Sequence, residues 1–100
     1  MTEVGRRREV TMKLADHIII GVHVTDRVKH AADVQSVLTE FGCQIKTRLG
    51  LHELGTGTAA SPNGLLVLEF VGTKAKCESL KRKLKAVAGV DVKTMTFGHP

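Results

Sequence analysis

Two segments of this chain, residues 17–53 and 65–97, repeat the same order of a strand, a helix and a strand. Each begins with a short apolar run, continues with apolar residues at spacings of three and four, and ends with a second strand-like run. A crossover helix between two strands of one sheet places both helices on the same side. The sequence therefore predicts an α+β fold, a ferredoxin-like βαββαβ sandwich with a four-stranded antiparallel sheet and two helices on one face.

The first half starts with a β-branched strand from His17 to Thr25. Its uniformly apolar side is predicted to face the core: Ile18, Ile20, Val22 and Val24. Thr25 and Asp26 can each accept a backbone hydrogen bond, so one of them is expected to cap the helix that follows. The stripe predicted to be buried on that helix is Val28, Ala31, Val34, Val37, Leu38 and Phe41, with Gly42 as its end.

A second strand is predicted from Cys43 to Glu53, because polar and apolar residues alternate there. One side carries Ile45, Thr47, Leu49 and Leu51. The other side, which we expect to project from the open face of the sheet, carries Gln44, Lys46, Arg48, Gly50 and His52.

The second half follows a polar, glycine-rich loop, Gly55 to Gly64, whose turn residues predict a long hairpin connection. The strand from Leu65 to Val71 is apolar on both sides, which predicts a central position. Thr73 is expected to cap the second helix and Gly89 to end it, before a last strand from Val90 to Phe97. The stripe predicted to be buried on this helix is Cys77, Leu80, Leu84 and Val87.

Composition indicates one globular domain, assigned to residues 16–98, after a flexible basic tail over residues 1–15 that contains Arg6 to Arg8. Of the 100 residues, 42% are hydrophobic and 25% are charged, which is ordinary for a folded domain. The two cysteines, Cys43 and Cys77, fit free buried thiols in a reducing cytoplasm rather than a disulfide framework. No apolar run is long enough to span a bilayer and no signal peptide is evident, so we expect a cytoplasmic protein.

Apolar residues are also predicted on the side of the sheet without helices: Ile19, Leu65, Val67 and Val71. A bare apolar sheet face usually marks an interface. The sequence therefore predicts a homo-oligomer, either a dimer or a tetramer, in which a second copy covers this side.

Three segments in this order resemble the ACT-like regulatory domains, and more narrowly the iron-only hydrogenase system regulators. They are Arg27 to Gly42, Ile45 to Leu51 with its Arg-Leu-Gly-Leu ending, and the Gly-Val-Asp-Val-Lys run from Gly89. The resemblance covers about residues 17–97. It implies a cytoplasmic, non-catalytic dimer or tetramer with a regulatory task and a small ligand or partner bound at a subunit boundary.

In ACT-like domains, small ligands usually bind where the first strand meets the first helix, which here is Thr25, Asp26 and Arg27. The start of a helix suits a carboxylate or phosphate, although Asp26 could equally cap the helix or hold an amino group. Arg48 could clamp an anion, and Gly50 would allow a close approach. These residues and His52 form the candidate ligand site, with a surface charge and a packing glycine as the alternative interpretation.

Two other functions stay open. His23 and His52 could contribute to a nickel-regulator-like metal sensor with residues of another subunit. The basic helix between Lys74 and Lys85 could contact nucleic acid, although three Phe and no Tyr or Trp disfavour sequence-specific RNA binding. No paired nucleophile and base, carboxylate pair or dinucleotide motif is present, so neither catalysis nor a cofactor is predicted.

Overall fold

The computed structural model describes residues 16–52 and 63–98. The predicted order of elements is confirmed, and their bounds are β1 His17–Val24, α1 Arg27–Glu40, a 3-10 turn Gly42–Gln44, β2 Ile45–His52, β3 Gly64–Phe70, α2 Lys74–Lys85 and β4 Val90–Phe97. The predicted tail, residues 1–15, and nearly all of the predicted glycine-rich loop lie outside the described residues.

The four strands form one antiparallel sheet in the order β2-β3-β1-β4. This is the predicted ferredoxin-like α+β fold, and β3 occupies the central position that its two apolar faces indicated. No helix within the described ranges is long and apolar enough to cross a membrane.

One hydrophobic core lies between the sheet and the two helices, and we call the side of the sheet that carries it the helix face. The predicted inward row of β1 packs there, with Ile20 and Val22 fully buried. The predicted stripe of α2 is confirmed for Cys77, Leu80 and Leu84. The other buried apolar residues of this core are Val24, Val34, Leu38, Phe41, Leu68, Phe70 and Val92.

The predicted stripe of α1 was too wide, because Val28 is 84% exposed and Ala31 is also exposed. The buried residues of this segment are Val34, Leu38 and Phe41. At 3.6 residues per turn, Val28 lies roughly 110° around the helix from the centre of that row. Spacings of three and four therefore connected residues that do not share one face.

The ends of the two helices correct three further expectations. Asp26 occupies the position before α1 with a left-handed φ of 54°, but its side chain makes no capping hydrogen bond. Thr73 does cap α2, and its hydroxyl accepts a 3.1 Å hydrogen bond from Lys76 N–H. Gly42 lies in a 3-10 turn without positive φ, and Gly89 follows the end of α2 at Lys85 by four residues.

A β-bulge at the start of β2 reverses the predicted faces of that strand. Ile45 pairs with Phe70, yet Thr47 pairs with Glu69, so Lys46 is an extra residue in β2. From there on, Arg48 and Gly50 pair with the helix-face residues Leu68 and Leu66. His52 pairs with Gly64, which belongs to the same helix-face row of β3. The prediction that Arg48, Gly50 and His52 occupy the open face was therefore wrong, because the register places all three on the helix face.

Val34→Ala and Val28→Ala compare one substitution at a buried and an exposed position of α1. We expect Val34→Ala to lower the free energy of unfolding by about 1.5–3 kcal/mol, because its fully packed side chain is removed. Val28→Ala should change it by less than about 0.5 kcal/mol. Urea denaturation of both variants measures the difference, and equal losses would contradict the described packing of α1.

Candidate ligand-binding groove

A groove with a volume of about 190 Å³ opens between α1 and the edge of the sheet formed by β2 and β3. The groove exists because, among the strands, α1 packs mainly against β1 and α2 against β4, whereas β2 contacts mainly β3. Residues of both the helix and the sheet line this groove, which we call the α1–β2 groove. The lining residues are Val24, Arg27, Ala31, Val34, Gln35, Gly50, Leu51, Gly64, Leu65 and Leu66.

Two of the predicted ligand residues, Arg27 and Gly50, line this groove from opposite sides. Arg27 belongs to the first turn of α1, and Gly50 belongs to β2 beside Leu66. Thr25 and Asp26 directly precede Arg27 but are not part of the lining. Arg48 precedes Gly50 by two residues on the same side of β2, where the bulge has turned it toward the helix face.

On the sheet side of the groove, two glycines leave space that a side chain would otherwise occupy. A Cβ atom placed on Gly64 would lie 3.3 Å from Cδ of Arg27, so the Arg27 side chain runs closely over this backbone. A Cβ on Gly50 would lie 3.6 Å from Cδ2 of Leu66, which is an ordinary contact. Gly50 thus leaves a space that a larger side chain could enter without a clash with the backbone.

Two backbone N–H groups of the turn before α1 donate hydrogen bonds that hold this turn in place at the end of the groove. Thr25 N–H donates a 2.8 Å hydrogen bond to the carbonyl of Gly89, which precedes β4. Asp26 N–H donates a 3.0 Å hydrogen bond to Oδ1 of Asn63, which precedes β3. The first turn of α1, and Arg27 with it, is therefore anchored to two other parts of the fold.

The side of the sheet without helices, which we call the open face, is rich in exposed apolar residues. Aligned rows cross it, including Leu49–Val67–Gly21 and Thr47–Glu69–Ile19–Met95. Leu49, Met95 and Phe97 are each more than 50% exposed. The predicted interface residues Ile19, Leu65 and Val67 occupy register positions on this face, and Val71, which follows β3, is 44% exposed. The bulge adds Leu49 and Leu51, which the sequence had not assigned to it.

Glu69 is a charged residue within this apolar surface. Its Oε1 accepts a 3.1 Å hydrogen bond from the Thr47 hydroxyl, and its Oε2 lies 3.9 Å from Nδ1 of His17. The carboxylate is thus already paired with side chains of its own sheet. It is therefore compatible with a covered open face.

The two candidate metal residues are not brought together. His23 pairs with Leu65 of β3, whose neighbour in β2 is Leu51, so His52 lies one residue further along and in the other row. Within residues 16–52 and 63–98, no group of three or more His, Cys, Asp and Glu is arranged to hold a metal ion. A metal site that includes either histidine would need ligands from elsewhere.

Helix α2 carries many positive charges, and acidic side chains neutralise part of them. Lys81 Nζ lies 3.3 Å from Glu78, and Lys83 forms an ion pair with Glu40 of α1 and lies over the ring of Phe41. Two of the three phenylalanines, Phe41 and Phe70, are buried in the core, as was predicted for Phe41. Among the described residues, Phe97 is the one Phe with an exposed ring, whereas RNA-binding sheets of this fold stack two or three bases on several aromatic side chains.

Apart from Gln35, the groove residues that the sequence did not indicate are small or apolar, such as Ala31 and Leu66. Ala31 was assigned to the core, since it fits the apolar spacing of α1. Its exposure beside Gly50 depends on where α1 crosses the sheet. Gly50 itself was the available signal, because a glycine within a strand often marks a close approach.

Comparison with known proteins supports the fold. No protein-family model and no curated protein matches the chain. Among solved structures, the uncharacterized protein TM1266 from Thermotoga maritima superposes with a TM-score of 0.71 at 24% identity, over 84% of this chain and 100% of that chain. CPII, a nitrogen regulatory PII-like protein from Thiomonas intermedia K12 bound to ADP, AMP and bicarbonate, gives a TM-score of 0.51 at 14% identity, over 86% and 97% of the two chains.

The two cysteines should differ in reactivity, because Cys43 is exposed, contrary to expectation, whereas Cys77 is buried. Burial raises the pKa of the Cys77 thiol, and nearby Lys81 offsets part of that effect. At pH 8 we expect a thiol reagent to modify Cys43 rapidly and Cys77 only slowly, since less thiolate forms and access is poor. Mass spectrometry of the time course measures both rates, with Cys43→Ser as the control, and fast labelling of Cys77 would contradict its burial.

Proposed function

We propose that this chain is a non-catalytic regulatory domain that assembles into a homo-oligomer and binds a small effector in the α1–β2 groove. In its most specific form, suggested by the sequence resemblance, the proposal assigns the chain a task like that of the iron-only hydrogenase system regulators. Binding would act by differential affinity for two subunit arrangements, so that the effector shifts their populations.

The observation that carries the proposal is the position of Arg27 across the groove from Gly50. An apolar groove with a few polar groups is the usual form of a small-molecule site. Arg27 supplies a fixed charge that can orient an anion, and Gln35 supplies an amide in the next turns of the helix. Among the lining residues there is no pairing of a nucleophile with a base that would favour catalysis.

The exposed apolar residues of the open face support the assembly part of the proposal. Leu49 on one edge strand and Met95 and Phe97 on the other, with Val67 and Ile19 on the strands between them, give the open face apolar surface that a second copy could cover. The ligand-bound PII-like protein CPII has a similar fold. That likeness is consistent with a regulatory ligand-binding domain built on this framework.

Gly50→Leu tests the groove as the effector site. The added side chain fills space beside Leu66, so we expect loss of the stabilisation that an effector gives to the wild-type protein. Thermal shift with a panel of carboxylates, amino acids and nucleotides identifies the effector. Gly42→Leu is the matched control, because a Cβ at Gly42 meets nothing within 4 Å and the residue lies outside the groove. An effector whose shift survives Gly50→Leu binds elsewhere and refutes this site.

Met95→Glu tests the open face as the interface between copies. Met95 is 54% exposed, so the change should leave the subunit folded while it places a charge where a second copy packs. Light scattering should give a dimer or tetramer for the wild type and a smaller species for the variant. Val28→Glu, at an 84% exposed apolar position of α1, is the control and should keep the wild-type mass. A monomeric wild type at high concentration would exclude the proposed assembly.

A further inference from the structure

Resting on the proposed function of the α1–β2 groove, we propose that its effector is a small branched aliphatic carboxylate rather than an amino acid or a nucleotide. Three features of the lining carry this inference: its aliphatic character, its single charge and its volume. Each feature excludes a different class of competing ligand.

The apolar part of the lining is entirely aliphatic. Val24 and Leu66 belong to the helix face, and Val34 and Ala31 lie beside them on α1. Leu51 and Leu65 also border the groove, although their register positions place their side chains on the open face. None of the lining residues that the structure describes is aromatic, so this part of the groove offers no flat surface on which a nucleobase would stack. Branched aliphatic groups fill such a surface well, because their favourable contacts are non-directional.

Among the described residues that line the groove, Arg27 is the one with a charge. A carboxylate can accept two parallel hydrogen bonds from its guanidinium group. Within residues 16–52 and 63–98, the lining offers no carboxylate to an ammonium group, so part of its hydration would be lost without compensation. Asp26 is exposed and lies outside the lining. The charge pattern therefore favours a simple anion over a zwitterion.

The volume of the groove limits the size of the apolar part of the ligand. An apolar cavity of about 150 Å³ accommodates benzene, which has six carbon atoms. The groove, at about 190 Å³, suits a branched chain of similar size with a carboxylate at the end near Arg27. A nucleotide would place most of its sugar and phosphates outside the groove, where one arginine cannot match their charge.

Isothermal titration calorimetry of the full chain with four probes tests the inference. The probes are 4-methylpentanoate, leucine, 4-methylpentanamide and AMP. Leucine adds only an ammonium group to the first skeleton, and the amide keeps that skeleton but replaces the carboxylate by a neutral group with a single acceptor oxygen. We expect 4-methylpentanoate to bind about tenfold or more tightly than each of the other three, as a charge-assisted hydrogen bond to Arg27 predicts.

Arg27→Gln should weaken 4-methylpentanoate binding by about tenfold and leave that of the amide nearly unchanged. Arg27→Lys, which keeps the charge, should restore part of the affinity. Lys76→Gln removes an equal charge from the exposed side of α2 and is expected to bind like the wild type. Circular dichroism verifies that each variant is folded.

The outcomes separate this inference from the proposed function. If leucine or AMP binds more tightly than 4-methylpentanoate and Gly50→Leu abolishes that binding, the groove is the site but the effector class is wrong. Equal affinities for the carboxylate and the amide also overturn the inference. If no compound of the wider panel binds in a manner that depends on Gly50, the proposed function fails together with it.

Discussion

The β-bulge at Lys46 is the feature on which both functional surfaces depend. One extra residue in β2 shifts all later side chains of the strand to the opposite face, because side chains alternate with a period of two. Leu49 therefore joins the open face, and Gly50 borders the groove beneath α1. Without the bulge, the leucines would pack toward α1 and the groove would be filled by aliphatic side chains rather than opened by a glycine.

The sequence predicted the framework because most elements have a pattern that only one packing satisfies. The apolar row of β1 alternates with a row that includes two histidines and a glycine, and the stripe of α2 is flanked by Lys and Arg, so their buried sides follow directly from the sequence. For β2 the alternation of polar and apolar residues was predicted correctly, but the side of the sheet on which the apolar residues lie was predicted wrongly. Leu49 and Leu51 are apolar, as core residues would be, and only the pairing with Val67 and Leu65 reveals that they lie on the open face.

The candidate site could be predicted only in part for a similar reason. Arg27 was found because it opens a helix after a strand, and Gly50 because a glycine is unusual in a strand. Arg27 and Gly50 line the same groove only because of the angle at which α1 crosses the sheet, and local periodicity contains no information about that angle. Ala31 illustrates the point, since an alanine at this spacing fits a buried helix position as well as the wall of a groove.

The two surfaces are physically connected through β2. This strand contacts mainly β3, so it is held less firmly than the central strands. Gly50 lines the groove on one side, and its neighbour Leu49 is exposed on the other. A ligand that enters between α1 and β2 must press on the same short backbone segment that presents Leu49 to a second copy. Under the proposed function, a change of a few tenths of an ångström at Gly50 alters the fit at the interface, since packed surfaces respond to small displacements. Under the proposed function, the edge position of β2 would thus connect effector binding directly to subunit arrangement, with no need for a longer chain of contacts.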